Sequence, residues 1–136
     1  MNILFAGTPK SSADILQCLI DNDDFNLVGV LTQPDKKGKR GNKLLESEVS
    51  SLAKKYNIPL YKPSDLKDGH ILDEIKLIKV DYLIVIAYGK ILPDWLLEIP
   101  AICSLNIHFS LLPKYRGASP IQSALLNGDK KTGITY

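Results

Sequence analysis

Cysteine is nearly absent from this chain: Cys18 and Cys103 are the only two, and neither belongs to a CxxC pair. Both read as reduced, buried thiols, Cys103 inside an apolar strand. Histidine is as scarce. His70 and His108 stand alone, with no partner at ligand spacing, so no metal centre is expected. No apolar run reaches the roughly 18 residues that span a bilayer, so no membrane association is expected. Met1-Asn2 leads into Ile3-Leu4-Phe5 without a basic flank or a cleavage site, which argues against a secretory signal and for a cytoplasmic protein. The glycine patterns of the common nucleotide sites are missing too: there is no GxGxxG and no GK[ST], and GxSxG, the mark of a serine nucleophile, is also absent. Internal repeats, low-complexity tracts and Ser/Gly linkers are likewise lacking.

What remains is a chain of 136 residues, 45% hydrophobic and 24% charged, the profile of one soluble folded domain. Its net charge of +2 hides an uneven distribution. Lys36, Lys37, Lys39, Arg40 and Lys43 are clustered, and no acidic residue falls between Asp35 and Glu46. Without those five cations the chain would be net acidic. The positive excess therefore belongs to one loop, a local element suited to an anionic partner.

The hydrophobic period alternates. Strands are predicted at Asn2–Ala6, Phe25–Thr32, Leu60-Tyr61, Asp81–Ala87 and Ala101–His108, and a further one begins at Gly133–Tyr136. Helices are predicted between them. The first carries Ile15, Leu16, Leu19 and Ile20, with Ser11 and Ser12 as candidate caps. The others cover Glu46–Tyr56, Asp65–Lys79, a short turn from Pro93 to Leu97, and Ser119–Asn127 stopped by Gly128. Near-continuous apolar strands alternating with helices predict an α/β fold, with a mostly parallel sheet covered on both faces. The strand begun at the end of the chain suggests the N-terminal portion of something longer.

In such a sheet, ligands collect outside the carboxyl ends of the strands. Gly7-Thr8-Pro9, Gln33–Lys43, Tyr88–Pro93 and Asn106–Ala118 are the segments expected there. Gly7-Thr8-Pro9 reads as a plain tight turn, with a phosphate cradle as the alternative. Asn106 and His108 are two apart at a strand end, so both point to one side while Ile107 points to the other. An amide donor can steady a developing oxyanion and an imidazole can move protons near neutral pH, a pairing suited to acyl or formyl transfer. A structural histidine is the alternative reading. Ser110 to Pro120 is long for a βα connection and mixes apolar, cationic and glycine positions; its backbone could read the edges of a planar heterocycle.

Asn106-Ile107-His108, Ser110-Leu111-Leu112-Pro113, Tyr115-Arg116-Gly117 and Pro120-Ile121, preceded by Ala87-Tyr88-Gly89-Lys90-Ile91-Leu92-Pro93, closely resemble the signature of the formyltransferases that use 10-formyltetrahydrofolate. Ile3 to Pro9, Thr32-Gln33-Pro34-Asp35 before the basic loop, and Pro120-Ile121-Gln122 running to Gly128-Asp129 and Thr132–Thr135 look like its methionyl-tRNA branch. The resemblance implies a Rossmann-like, doubly wound domain, here residues 1–136, incomplete at its C-terminal end and without the family's C-terminal β-barrel. It implies transfer of a formyl group from 10-formyltetrahydrofolate to the α-amino group of methionyl initiator tRNA, with Asn106 and His108 catalytic and no metal. Tyr88, Gly89, Ile91, Leu92, Ser110, Leu111, Leu112 and Pro113 would bind the folate, and Lys36, Lys37, Lys39, Arg40 and Lys43 the tRNA. The full-length protein would be a monomer. The family's catalytic aspartate lies beyond the last residue here, which implies a weak or inactive isolated chain. Lys10, Ser11 and Phe109 depart from the usual pattern. A sibling formyltransferase acting on glycinamide ribonucleotide or a nucleotide sugar, and a non-catalytic fragment that keeps folate or tRNA contacts, are the alternative readings.

Overall fold

The computed structural model describes residues 1–37, 44–66 and 69–136. Its centre is a parallel sheet of five strands: β1 (Asn2–Gly7), β2 (Asn26–Leu31), β5 (Leu60–Tyr61), β6 (Tyr82–Ile86) and β7 (Cys103–Ile107), in the spatial order β5-β2-β1-β6-β7. The order reverses between β1 and β6, so the crevice characteristic of a doubly wound sheet opens at their carboxyl ends.

Alternation along each strand sorts side chains into two cores. Leu4, Ala6, Leu31, Leu83 and Val85 face α3 (Gly69–Lys76) and α4 (Asp94–Leu97), where Ile75 and Leu96 complete the layer. Phe5, Val30 and Ile86 face α1 (Lys10–Ile20) and α2 (Glu48–Lys55), meeting Ala13, Leu16, Val49 and Ala53. Ile3 through Ala6 are all buried because β1 is covered on both sides, which is why that strand reads as an unbroken apolar run. A fifth helix, α5 (Pro120–Leu126), follows β7.

Several local expectations are corrected. α1 starts at Lys10 behind Pro9 and has no side-chain cap; Ser12 instead turns inward, fully buried, and donates its hydroxyl to the Ile86 carbonyl at 2.6 Å. The capped helix is α2, where Ser47 accepts from the Ser50 amide. Neither cysteine is buried. Cys18 falls on the outer face of α1, which buries positions 12, 13 and 16, and Cys103 lies on the outermost strand of the sheet. The start of the basic loop is not plain coil: β3 (Lys36–Lys37) pairs antiparallel with β4 (Leu44–Leu45). Two residues are too few to show a strand period. The nascent last strand amounts to one antiparallel bridge, Thr135 opposite His108, rather than a sixth parallel strand.

Gly7 closes β1 where the surroundings leave no room for a side chain. A Cβ built there would sit 2.7 Å from the Ser12 Cβ, 2.8 Å from the Phe5 ring and 3.0 Å from the Ile86 carbonyl oxygen. Replacing glycine by alanine at an unstrained position ordinarily stabilises by about 0.4–1 kcal/mol through the unfolded chain. Here overpacking opposes it, and Gly7→Ala is expected to lower stability by about 1–3 kcal/mol. Urea unfolding of both chains measures this; a midpoint at or above the wild-type value would show that the contact is not tight.

Candidate active site

The crevice is bridged from three strands. Thr8, after β1, donates its hydroxyl to the Tyr88 carbonyl at 3.0 Å, and Gln33, after β2, donates its side-chain amide to the same oxygen at 3.1 Å. Both acceptor positions of that carbonyl are thereby engaged. The Tyr88 ring points away into the core, 2% exposed. The chain turns on either side of Tyr88, at Ala87 and Gly89, which have φ of 46° and 88°. Among the described residues, no backbone hydrogen bond engages Gly89, Lys90, Ile91 or Leu92. Their N–H and C=O groups remain free for water or a ligand. Ile91 is exposed, and Leu92 is half-buried against the first core.

β7 leaves the sheet beside this loop, its register running Val85 opposite Asn106 and Ile86 opposite Ile107. Ile107 and Phe109 pack into the second core, so Asn106, His108 and Ser110 belong to the other face. Asn106 is exposed, and its amide makes no hydrogen bond among the described residues. His108 is half-buried. Its Nε2 lies 3.0 Å from the Tyr115 carbonyl oxygen. A carbonyl only accepts, so Nε2 carries the hydrogen and Nδ1 of the neutral ring carries the lone pair.

The loop that follows folds onto this histidine. His108 and Thr135 exchange two backbone hydrogen bonds, at 2.8 and 2.9 Å. The Thr135 hydroxyl donates to the Ser110 carbonyl and accepts from the Leu112 amide. Ser110 is fully buried and donates to the Lys114 carbonyl at 2.7 Å. Leu111, Leu112 and Pro113 are left exposed at the loop's crest. Leu111 and Pro113, with Lys114, Tyr115, Asp129, Lys131 and Thr132, line a hollow of about 280 Å³. A larger hollow, about 470 Å³, lies between α1 and α2 and includes no residue from a strand end. The Tyr115 phenol is held above its ordinary pKa by its hydrogen bond to Asp129.

A family model described as Formyl transferase matches residues 1–136. The chain belongs to the formyl transferase family. It is 47% identical over 135 residues to the methionyl-tRNA formyltransferase of Clostridioides difficile (strain 630), covering 99% of this chain and 43% of that protein. Identity reaches 50% with the methionyl-tRNA formyltransferase of Mycoplasmopsis pulmonis (strain UAB CTIP), over 99% of this chain and 45% of that one. The chain thus spans less than half the length of these curated relatives. Among solved structures, a phosphoribosylglycinamide formyltransferase from Bacillus halodurans superposes with a TM-score of 0.73 at 20% identity, over 99% of this chain and 70% of that chain. A formyltetrahydrofolate deformylase from Pseudomonas syringae pv. tomato str. DC3000 superposes with a TM-score of 0.68 at 25% identity, over 98% and 44%. These likenesses bear out the Rossmann-like, doubly wound sheet and the family resemblance.

Of the residues expected at the site, Asn106, His108 and Ser110 lie at or just after the end of β7, and Gly89, Ile91 and Leu92 lie in the segment after the neighbouring strand β6. Tyr88 contributes a carbonyl already spent and a ring in the core. Lys36 and Lys37 lie on β3; Lys39, Arg40 and Lys43 lie outside the described residues. Among the described residues no cluster of three or more His, Cys, Asp or Glu side chains could hold a metal ion. The sequence placed Thr8, Gln33, Tyr115 and Thr135 in notable segments but assigned none of them an individual role. Each acts on a residue far along the chain or through its backbone carbonyl, and neither leaves a trace in hydrophobic period.

Among the described residues the buried Tyr88 hydroxyl has no hydrogen-bond partner, and burial pushes its pKa from 10.0 up to about 12. Between those values the unfolded chain releases a proton that the folded one retains, so this residue's contribution falls as pH rises from about 10 towards 12. Tyr88→Phe removes both the orphaned hydroxyl and its titration. Its stability at pH 8 is expected to equal or exceed wild type by about 1–2 kcal/mol, with a shallower alkaline decline. Urea unfolding at pH 8 and again above pH 10 tests this; a Tyr88→Phe chain that loses stability at pH 8 would mean that the hydroxyl has a partner.

Proposed function

We propose that this chain carries the folate-binding and catalytic portion of a cytoplasmic methionyl-tRNA formyltransferase, forming the N-terminal part of a longer protein. The observation that carries the reading is the pairing at the end of β7. Among the described residues Asn106 presents an unengaged amide, His108 presents a ring of defined tautomer, and the segment after the adjacent strand β6 has unpaired backbone groups. 10-Formyltetrahydrofolate would supply the formyl group, and the methionyl α-amino group of initiator tRNA would accept it.

The residues present suit those substrates. The unpaired N–H and C=O groups of Gly89 to Leu92 can pair with the edge of a pterin, and Leu111, Leu112 and Pro113 offer it apolar surface. Asn106 can donate its amide N–H to the formyl oxygen as negative charge develops there, a contribution that depends on the donor being held in place beforehand. His108, with Nε2–H held by the Tyr115 carbonyl, can take or return a proton at Nδ1 as the attacking amine loses one and the departing folate nitrogen gains one. No covalent bond to the protein is needed.

The choice of tRNA as acceptor rests on two supports. Relatives at 46–50% identity bear that name, whereas the phosphoribosylglycinamide formyltransferases share the fold at lower identity. The cluster Lys36, Lys37, Lys39, Arg40 and Lys43 provides cations for phosphates, and a small acceptor does not need five of them.

The test has two arms. Calorimetry with 5-formyltetrahydrofolate, a stable reduced folate, should show saturable binding to this chain. Replacing residues 110–113 by a Gly/Ser segment should abolish it, while Asn106→Ala and His108→Ala retain it. In the full-length protein those two substitutions should each lower formyl transfer to methionyl initiator tRNA by about 10²–10⁴-fold. Alanine at all five clustered cations should weaken tRNA binding and flatten its salt dependence. A folded chain that binds no folate, or a full-length protein that formylates glycinamide ribonucleotide in preference to tRNA, would overturn the reading.

A further inference from the structure

Tyr115 holds a backbone conformation that a bulky residue rarely adopts. Its φ is 55°, a left-handed region in which a side chain is strained. Two interactions hold it there. Its phenol donates to Asp129 Oδ2 at 2.8 Å, an oxygen that also lies 3.6 Å from Lys114 Nζ. Its carbonyl accepts from His108 Nε2. Asp129 is itself held by the end of α5. Gly128, with φ of 69°, turns the chain out of the helix and donates to the Leu125 carbonyl, and the Asp129 amide donates to the Ala124 carbonyl. A continuous series of contacts therefore runs from a helix terminus to the imidazole.

We propose that Asp129 and Tyr115 are positioning residues for His108: by pinning the phenol, Asp129 keeps Tyr115 in the left-handed conformation that aims its carbonyl at Nε2 and so sets the ring tautomer. The purpose assigned to that tautomer rests on the proton-handling role proposed for His108; the geometric effect does not. A neutral imidazole in water exchanges between two tautomers. A fixed acceptor on Nε2 selects one and leaves Nδ1 as the basic nitrogen. A loop staple with no effect on the histidine would hold residues 114–129 together equally well but leave the ring indifferent to its loss.

The tautomer separates these readings. With ¹⁵N-labelled histidine in this chain, long-range ¹H–¹⁵N spectra recorded where the ring is neutral distinguish a protonated ring nitrogen from an unprotonated one, and His108→Gln assigns the signals against His70. Wild type is expected to show His108 as a single Nε2–H species. Tyr115→Phe and Asp129→Ala should lose that signature, with the two ring nitrogens moving towards each other as the tautomers mix. Asp129→Asn keeps an acceptor oxygen and should retain the wild-type pattern. An Nδ1–H ring in wild type, or unchanged ring signals in a folded Tyr115→Phe chain, overturns the proposal. Should Asp129→Ala fail to fold, Tyr115→Phe, which removes a single oxygen, decides. 5-Formyltetrahydrofolate titrated into the same wild-type sample tests the folate reading independently: failure to bind overturns that reading, while the tautomer signals still decide this one.

Discussion

Backbone carbonyls that run out of strand partners set the terms at the carboxyl edge of this sheet. A carbonyl leaving a parallel strand must find a donor or face water, and a buried one left alone costs free energy comparable to a lost hydrogen bond. Here side chains from elsewhere supply the donors. Ser12 serves Ile86, Thr8 and Gln33 serve Tyr88, Ser110 serves Lys114, Thr135 serves Ser110, and His108 serves Tyr115. Ser12, Thr8, Gln33 and Thr135 reach carbonyls far along the chain, whereas Ser110 and His108 brace the connection after β7 from within. The loops beyond β6 and β7 are thereby given definite shapes without regular secondary structure.

The same constraint shows which groups remain available. The Tyr88 carbonyl is saturated, yet the backbone that follows it is not, and this contrast falls within a few residues. A surface built this way has a fixed floor and an unpaired rim. Asn106 and His108 differ in the same manner: among the described residues one side chain is unengaged, while the other has one ring nitrogen committed and one open. Preorganisation of this kind places the ordering cost in folding rather than in the reaction step.

Formyl transferases share this sheet at identities as low as 17%. A scaffold held by strand alternation and two apolar layers tolerates such divergence, because packing requires apolar volume rather than particular residues. In this chain the positive excess is concentrated in one loop, the one carrying the clustered cations.

Much of the architecture was legible in the chain itself. Ile3 to Ala6 and Leu83 to Ile86 are apolar throughout because both faces of a parallel sheet are covered, and the helices between them repeat at their own period. The family motifs around Asn106 and His108 were equally plain. Other features were not legible. Ser12 had the composition of a cap but became a buried tether, since Gly7 leaves the backbone of β1 close enough to draw α1 inward. Cys103 sat in an apolar run but lies on an edge strand. The sequence by itself thus determined the five strands of the central sheet and their layers, and it singled out Asn106 and His108 as candidates, because these follow from periodicity and residue chemistry. Only the tertiary structure decided which carbonyls are spent, which are free, and which nitrogen of His108 carries the proton, because those bonds join residues that meet only when the chain is folded.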